Sequence, residues 1–298
     1  MRTDTVVPLA IALAVTVSAA CSVDLASQGV VLREERSFAV EGNDLQLTLR
    51  TFDGAVDVRA WDQDEVRVTI TRRAIDDARA EALAVDVSRD GSRIAVEAPE
   101  PPSRGPQVRI GPWTSDSVSF SVDVPRELML EVRTHDGRIE VHGVEGTIDL
   151  ESDDGAVTGG QLRGDITVRT SDGSIQLGDV DGRLAARTSD GSVRLDGRFD
   201  ALDVDTSDGS VQIAVHDGSV MTDDWSVSTS DGSIRLSLPG AFGAELDART
   251  GDGRIRVERA GADAGGDRRR QQLQTTLGEG GRRLRLQSGD GSITVSTP

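Results

Sequence analysis

The sequence predicts an all-β fold, a parallel β-solenoid, from three observations. Asp-Gly pairs at Asp136-Gly137, Asp154-Gly155, Asp172-Gly173, Asp190-Gly191 and Asp208-Gly209 recur every 18 residues. Apolar and polar residues alternate on both sides of each pair, the period of a strand with one buried face. The same residue type also returns at the same place in successive repeats, as expected when each copy packs on its counterpart.

The columns give the elements in order. Leu130, Ile148, Ile166, Leu184 and Leu202 share one position, with Val132, Leu150, Val168, Ala186 and Val204 two residues on. Thr134, Ser152, Thr170, Thr188 and Thr206 follow two residues later. Beyond the Asp-Gly pair lie Ile139, Val157, Ile175, Val193 and Val211. Each repeat therefore reads as strand, Asp-Gly bend, strand, polar turn. Glycine is expected at the bend for its positive φ, and Asp because it can bond its own backbone there. An antiparallel β meander, with each Asp-Gly pair a hairpin tip, is the alternative. The solenoid better explains why like residues recur in columns about 4.8 Å apart.

The flanks are less regular. Met1 to Ala20 has Arg2, an apolar run from Val6 to Val17 and then small residues, the pattern of a secretory signal. That run is too short to span a bilayer, which needs about 20 residues. Residues 21–35 read as a tether and 36–98 as an N-terminal β cap region. Within the cap, Leu45 to Leu49 and Val66 to Ile70 alternate like strands, Ala74 to Leu83 suits a short helix, and Val85 to Val96 suits a hairpin at Asp90-Gly91. Pro99, Pro101, Pro102 and Pro106 mark a linker at 99–107, and 108–298 is the repeat solenoid. Gly261 to Gly281 interrupts the repeat as a projecting loop, and Leu284 to Val295 resumes it.

Composition narrows the function. The 298-residue chain has a net charge of -18, 3% aromatic residues, no Tyr and one cysteine. Such an acidic surface repels nucleic-acid phosphate and anionic headgroups, and an aromatic stacking platform is not expected. No nucleic-acid partner is expected. The single cysteine, Cys21, stands where signal cleavage falls. Val17-Ser18-Ala19-Ala20-Cys21 resembles a bacterial lipobox, in which the cysteine is acylated and becomes the mature N-terminus. Ser18 stands where Leu is commonest, and Asp4 dilutes the positive start. By that resemblance, with Ser22 following the cysteine, the protein is exported to the cell envelope and lipid-anchored, with the outer membrane favoured. Ordinary cleavage that leaves a free thiol is the plainer alternative.

Phe38-Ala39-Val40, Asp53-Gly54-Ala55-Val56-Asp57-Val58, Trp61-Asp62 and Val66-Arg67-Val68 resemble the start of the putative-adhesin family of bacterial envelope proteins. The Thr-Ser-Asp-Gly-Ser copies resemble its repeat region, so the likeness runs from about residue 36 to the end. It implies a β-helix-like fold, export and a role at the cell surface or in envelope stress. It supplies no catalytic residues.

Chemistry-bearing residues are few. His135, His142 and His216 are scattered and read as exposed polar positions. The lone cysteine gives no His/Cys metal set. The Asp column (Asp136, Asp154, Asp172, Asp190, Asp208) is the one candidate site, a Ca²⁺ ladder. At about 4.8 Å, neighbouring carboxylates repel by about 0.9 kcal/mol in water, which a cation would offset. Asp as a turn former explains the column without a metal, and no cofactor is expected. Trp61, Trp113 and Trp225 do not cluster as a sugar platform. The expected function is a non-catalytic, adhesin-like binding or scaffold module with an envelope protein or glycan as partner. An envelope-stress regulatory protein acting through a membrane partner is the alternative, and a β-helix polysaccharide-acting enzyme a third.

Overall fold

The computed structural model describes residues 29–42, 44–102, 116–259 and 271–298. The chain forms a β-solenoid whose strands build two parallel walls around one core. In the middle of the array the 18-residue period is the physical register. Ile148 lies opposite both Leu130 and Ile166, and Ile166 opposite Leu184. The first wall runs through Glu127–Thr134, Glu145–Ser152 and Arg163–Thr170. The second wall, beyond each Asp-Gly bend, runs through Ile139–His142 and Val157–Gly160. Strands Ile175–Thr188 and Val193–Thr206 each turn a corner and serve both walls. Parallel pairing excludes the meander.

Inward residues at every second position are fully buried, so the alternation that predicts the strands also fills the core. Each such side chain contributes roughly 1.5–3 kcal/mol if removed wholly from water. No single coil covers its own apolar faces, so cohesion comes from coil on coil.

Spatial order departs from chain order at both ends. Gln46–Thr51 pairs with Glu127–Thr134 on one side and Arg93–Ala98 on the other. Val56–Trp61 likewise lies between Ile139–His142 and Ser117–Pro125. At the far end, Arg283–Ser288 inserts between Trp225–Thr229 and Ala244–Thr250. Ile293–Thr297 inserts between Ile234–Ser237 and Ile255–Arg259. Antiparallel strands then close the array. Val30–Ala39 pairs with Glu65–Ala74, which pairs with Ser117–Pro125. Asp86–Asp90 covers Arg93–Ala98. The helix Asp77–Ala82, capped by the Asp76 side chain on Arg79 N (2.8 Å), buries Ala80 against this end. One core includes residues on both sides of 99–107.

Two expectations need correction. Within 261–281, Gln272–Leu277 is not a projecting loop: it is a strand that pairs antiparallel with Ala244–Thr250 and buries Leu277. Edge pairing wins because it satisfies the backbone of the array's last coil. The bend glycines from Gly137 to Gly209 are not needed for positive φ, a conformation adopted in the bend column by Gly54. They are needed for space. A Cβ on Gly137, Gly191 or Gly209 would stand 1.9 Å from the carbonyl oxygen of the preceding coil's glycine.

Candidate functional site

The Thr/Ser column supports the bends from within. Thr188 Oγ1 donates to the Gly173 carbonyl (3.0 Å) and accepts from Gly191 N (3.2 Å). Thr170, Thr206 and Ser152 repeat the pattern, each donating to the preceding glycine and accepting from the glycine of its own bend. The column continues through Thr229, Ser288 and Thr250 in spatial order, so it follows the inserted coil. A buried hydroxyl that both donates and accepts in this way is a structural pin, with its proton and one lone pair committed to backbone.

The Asp column lies outside these pins. Asp136, Asp154, Asp172, Asp190 and Asp208 are exposed. The backbone amides of Asp154, Asp172, Asp190 and Asp208 bond the preceding coil, as Asp190 N does to Ser171 O (3.0 Å). Among the described residues no group of three or more His, Cys, Asp or Glu could hold a metal ion. The column presents one carboxylate per coil, and no bond from these side chains to the bend backbone is seen among the described residues. Asp53, at the first coil, differs. It is half-buried, and burial, aided by the Asp136 carboxylate, raises its pKa above the ordinary carboxylate value.

Asp53 and Asp136 line an open cleft of about 550 Å³ at the N-terminal end of the array. Its wall carries alternating charge: Arg50 pairs with Glu131 (2.9 Å) and Glu97 (3.5 Å), and Arg133 with Glu131 (3.1 Å) and Glu151 (3.5 Å). His135 is 71% exposed and pairs with Asp153. The hydroxyls nearby face the backbone: Thr51 donates to Val118 O (2.6 Å) and Ser152 to Gly137 O (3.0 Å). The cleft thus holds an ion-paired chain with an excess of carboxylates, and among the described residues no hydroxyl bonds the His135 ring, which meets Asp153 instead.

The same self-pairing continues along the first wall, where Arg169 meets Asp149 (3.1 Å) and Arg187 meets Asp203 (2.7 Å). His142 meets Glu140 (3.2 Å) and His216 meets Asp196 (2.7 Å), both near half exposure. The three histidines are thus separate surface residues. Trp225 is buried against Phe199 and Phe242 with ring centroids 6.3 and 5.2 Å away. Trp61 lies under the Arg67 guanidinium (4.6 Å). Cys21 and Trp113 lie outside the described residues. The ion-pair chain escaped sequence reasoning because its partners come from residues 50, 97, 131, 133 and 151, which only coil stacking makes neighbours.

The family described as Toastrack DUF4097 matches residues 14–296. Among solved structures, a putative adhesin from Bacteroides fragilis NCTC 9343 is 11% identical, with 89% of this chain and 97% of that one covered and a TM-score of 0.41. A putative lipid binding protein from Parabacteroides distasonis ATCC 8503 is 14% identical, with 88% and 96% covered and a TM-score of 0.43. A putative cell adhesion protein from Clostridium sporogenes ATCC 15579 is 11% identical, with 89% and 100% covered and a TM-score of 0.24. No curated protein matches.

Proposed function

The chain belongs to the toastrack family, and from that premise we propose that it is a non-catalytic envelope module that presents its strand walls to a partner. The observation that carries this reading is where the reactive groups point. Ladder hydroxyls such as those of Ser152, Thr170, Thr188 and Thr206 bond backbone inside the array, while the outer walls offer long rows of exposed polar side chains. A rigid surface of this kind suits binding or scaffolding better than group transfer, which needs a nucleophile and base in contact. In this reading Cys21 carries the lipid that tethers the array to the membrane, and the partner is an envelope protein or glycan.

Two measurements test it. Envelope fractionation of wild type and Cys21→Ala should show membrane association lost in the variant; unchanged association would reject the anchor. A glycan panel incubated with the full chain should show no new chain ends. Turnover that disappears on changing one cleft carboxylate, such as Glu151→Gln, would replace the module with an enzyme.

A further inference from the structure

The second wall differs from the first in how it treats arginine. From the middle of the array to its far end, its central outward column reads, in spatial order, Gln176, Arg194, Gln212, Arg235, Thr294 and Arg256; toward the other end it continues as Thr158, Glu140 and Asp57. From Arg194 to Arg256, arginine therefore occupies every second layer, about 9.6 Å apart at the strand spacing. The insertion of the C-terminal coil creates this regularity. Thr294 stands between Arg235 and Arg256, which would otherwise be adjacent at about 4.8 Å and repel. The three arginines are exposed, and among the described residues none forms an ion pair with a carboxylate. In the first-wall column just before the Thr/Ser position, Arg50, Arg133, Arg169, Arg187 and Arg249 all do.

An acidic chain with carboxylates to spare leaves these three guanidiniums unneutralised, at even intervals, on a flat strand face. Beside them, Gln176, Gln212, Ser192 and Ser210 are exposed, offering amides and hydroxyls. We propose that this face binds an extended anionic glycan whose carboxylates recur at the arginine interval. The planar guanidinium holds a carboxylate with two parallel bonds, and the intervening amides and hydroxyls suit sugar hydroxyls. The overall negative charge does not forbid this, because charges beyond about 8 Å are largely screened at physiological ionic strength. A nucleic acid fits less well, since the column offers no aromatic ring for a base. The proposal rests on the surface-module reading and gives it a partner class.

The test uses the full chain and three immobilised probes: hyaluronate, whose carboxylate falls on every second sugar, neutral dextran, and double-stranded DNA. Wild type should bind hyaluronate and not dextran, with binding falling steeply between about 50 and 200 mM salt. The triple variant Arg194→Gln/Arg235→Gln/Arg256→Gln should bind roughly tenfold or more weakly, a loss of about 1.4 kcal/mol or more. Gln212→Glu, which sets a carboxylate between Arg194 and Arg235, should also weaken binding. It does so without deleting an arginine, and circular dichroism should show both variants folded. The matching change on the other wall, Arg169→Gln/Arg187→Gln, should leave binding within about twofold, as expected for charges already neutralised. Absent wild-type binding, binding indifferent to both second-wall variants, or equal binding to DNA overturns the proposal. If hyaluronate fails while an envelope pull-down still retains a component, the module reading stands and the glycan falls. If hyaluronate is bound through the column and also shortened, the ligand stands and the non-catalytic reading falls.

Discussion

The middle of the array and its two ends are built by different rules. From 127 to 215 each coil rests on the one just made, and chain order is spatial order. At each end the outermost layer is made of residues that lie nearer the middle of the sequence. Residues 46–61 and 283–297 are seated one layer in, covered on both sides. A simple stack would end in a coil free to fray. Here fraying must first displace a layer locked by a segment distant in sequence, so the ends gain the cooperativity that a one-dimensional repeat lacks.

Removing residues 283–298 should therefore have the largest effect. It takes out Leu284, Leu286, Ile293 and Val295, all fully buried, and strips cover from two neighbouring layers. At roughly 1.5–3 kcal/mol per side chain the loss is of order 6–12 kcal/mol, an upper estimate. Urea unfolding should show the far end melting separately or the whole array lost. A transition close to wild type would mean that the inserted coil is dispensable and the contrast between ends and middle is false.

Gly191→Ala tests the middle. The new Cβ meets backbone at 1.9 Å, where no side chain can swing aside, so about 3 kcal/mol or more is expected in a urea melt. Gly91→Ala, at an end hairpin with φ 59° and open space around it, should cost only about 1–2 kcal/mol. Equal costs would show that stacking at the bend is not tight.

Thr188→Val removes a donor to Gly173 O and an acceptor for Gly191 N. It should destabilise by about 1–3 kcal/mol, as buried backbone groups lose their partners. Thr188→Ser, the residue the column already uses at Ser152, should cost less than about 1 kcal/mol. Equal losses would show that the hydroxyl contributes no more than the methyl, against the pinning role.

The smallest effect is one of pH. Burial, then the Asp136 carboxylate, raises the folded-state pKa of Asp53, so folding opposes its ionisation. That penalty is fully present above the folded value and disappears as pH falls below the unfolded one. Asp53→Asn should stabilise at neutral pH and lose the advantage in acid, read as thermal midpoints across pH. Asp172→Asn, in the exposed middle, is the comparison. The same pH profile in both variants would erase the distinction between the first bend and the later ones.

Much of the middle was legible. The apolar columns through Ile148 and Val157 foretold which side chains turn inward, because a strand has no other way to bury alternate residues. The Thr column was visible, but its role was not, since a hydroxyl's partner is set by the preceding coil's backbone. The Asp column was visible as a row of exposed carboxylates, one per coil. The charge chain from Arg50 to Glu151 and the spacing of Arg194, Arg235 and Arg256 were hidden for one reason: their neighbours are distant in the chain.

The sequence by itself determined the strand period, the bend positions and the inward residues, because these follow from local geometry repeated at a fixed step. Tertiary structure decided which layer each terminal coil occupies, and with it the spacing of charges on the second wall. Layer order at the ends is a choice among partners of nearly equal pattern, settled only when backbone edges and apolar faces find cover together.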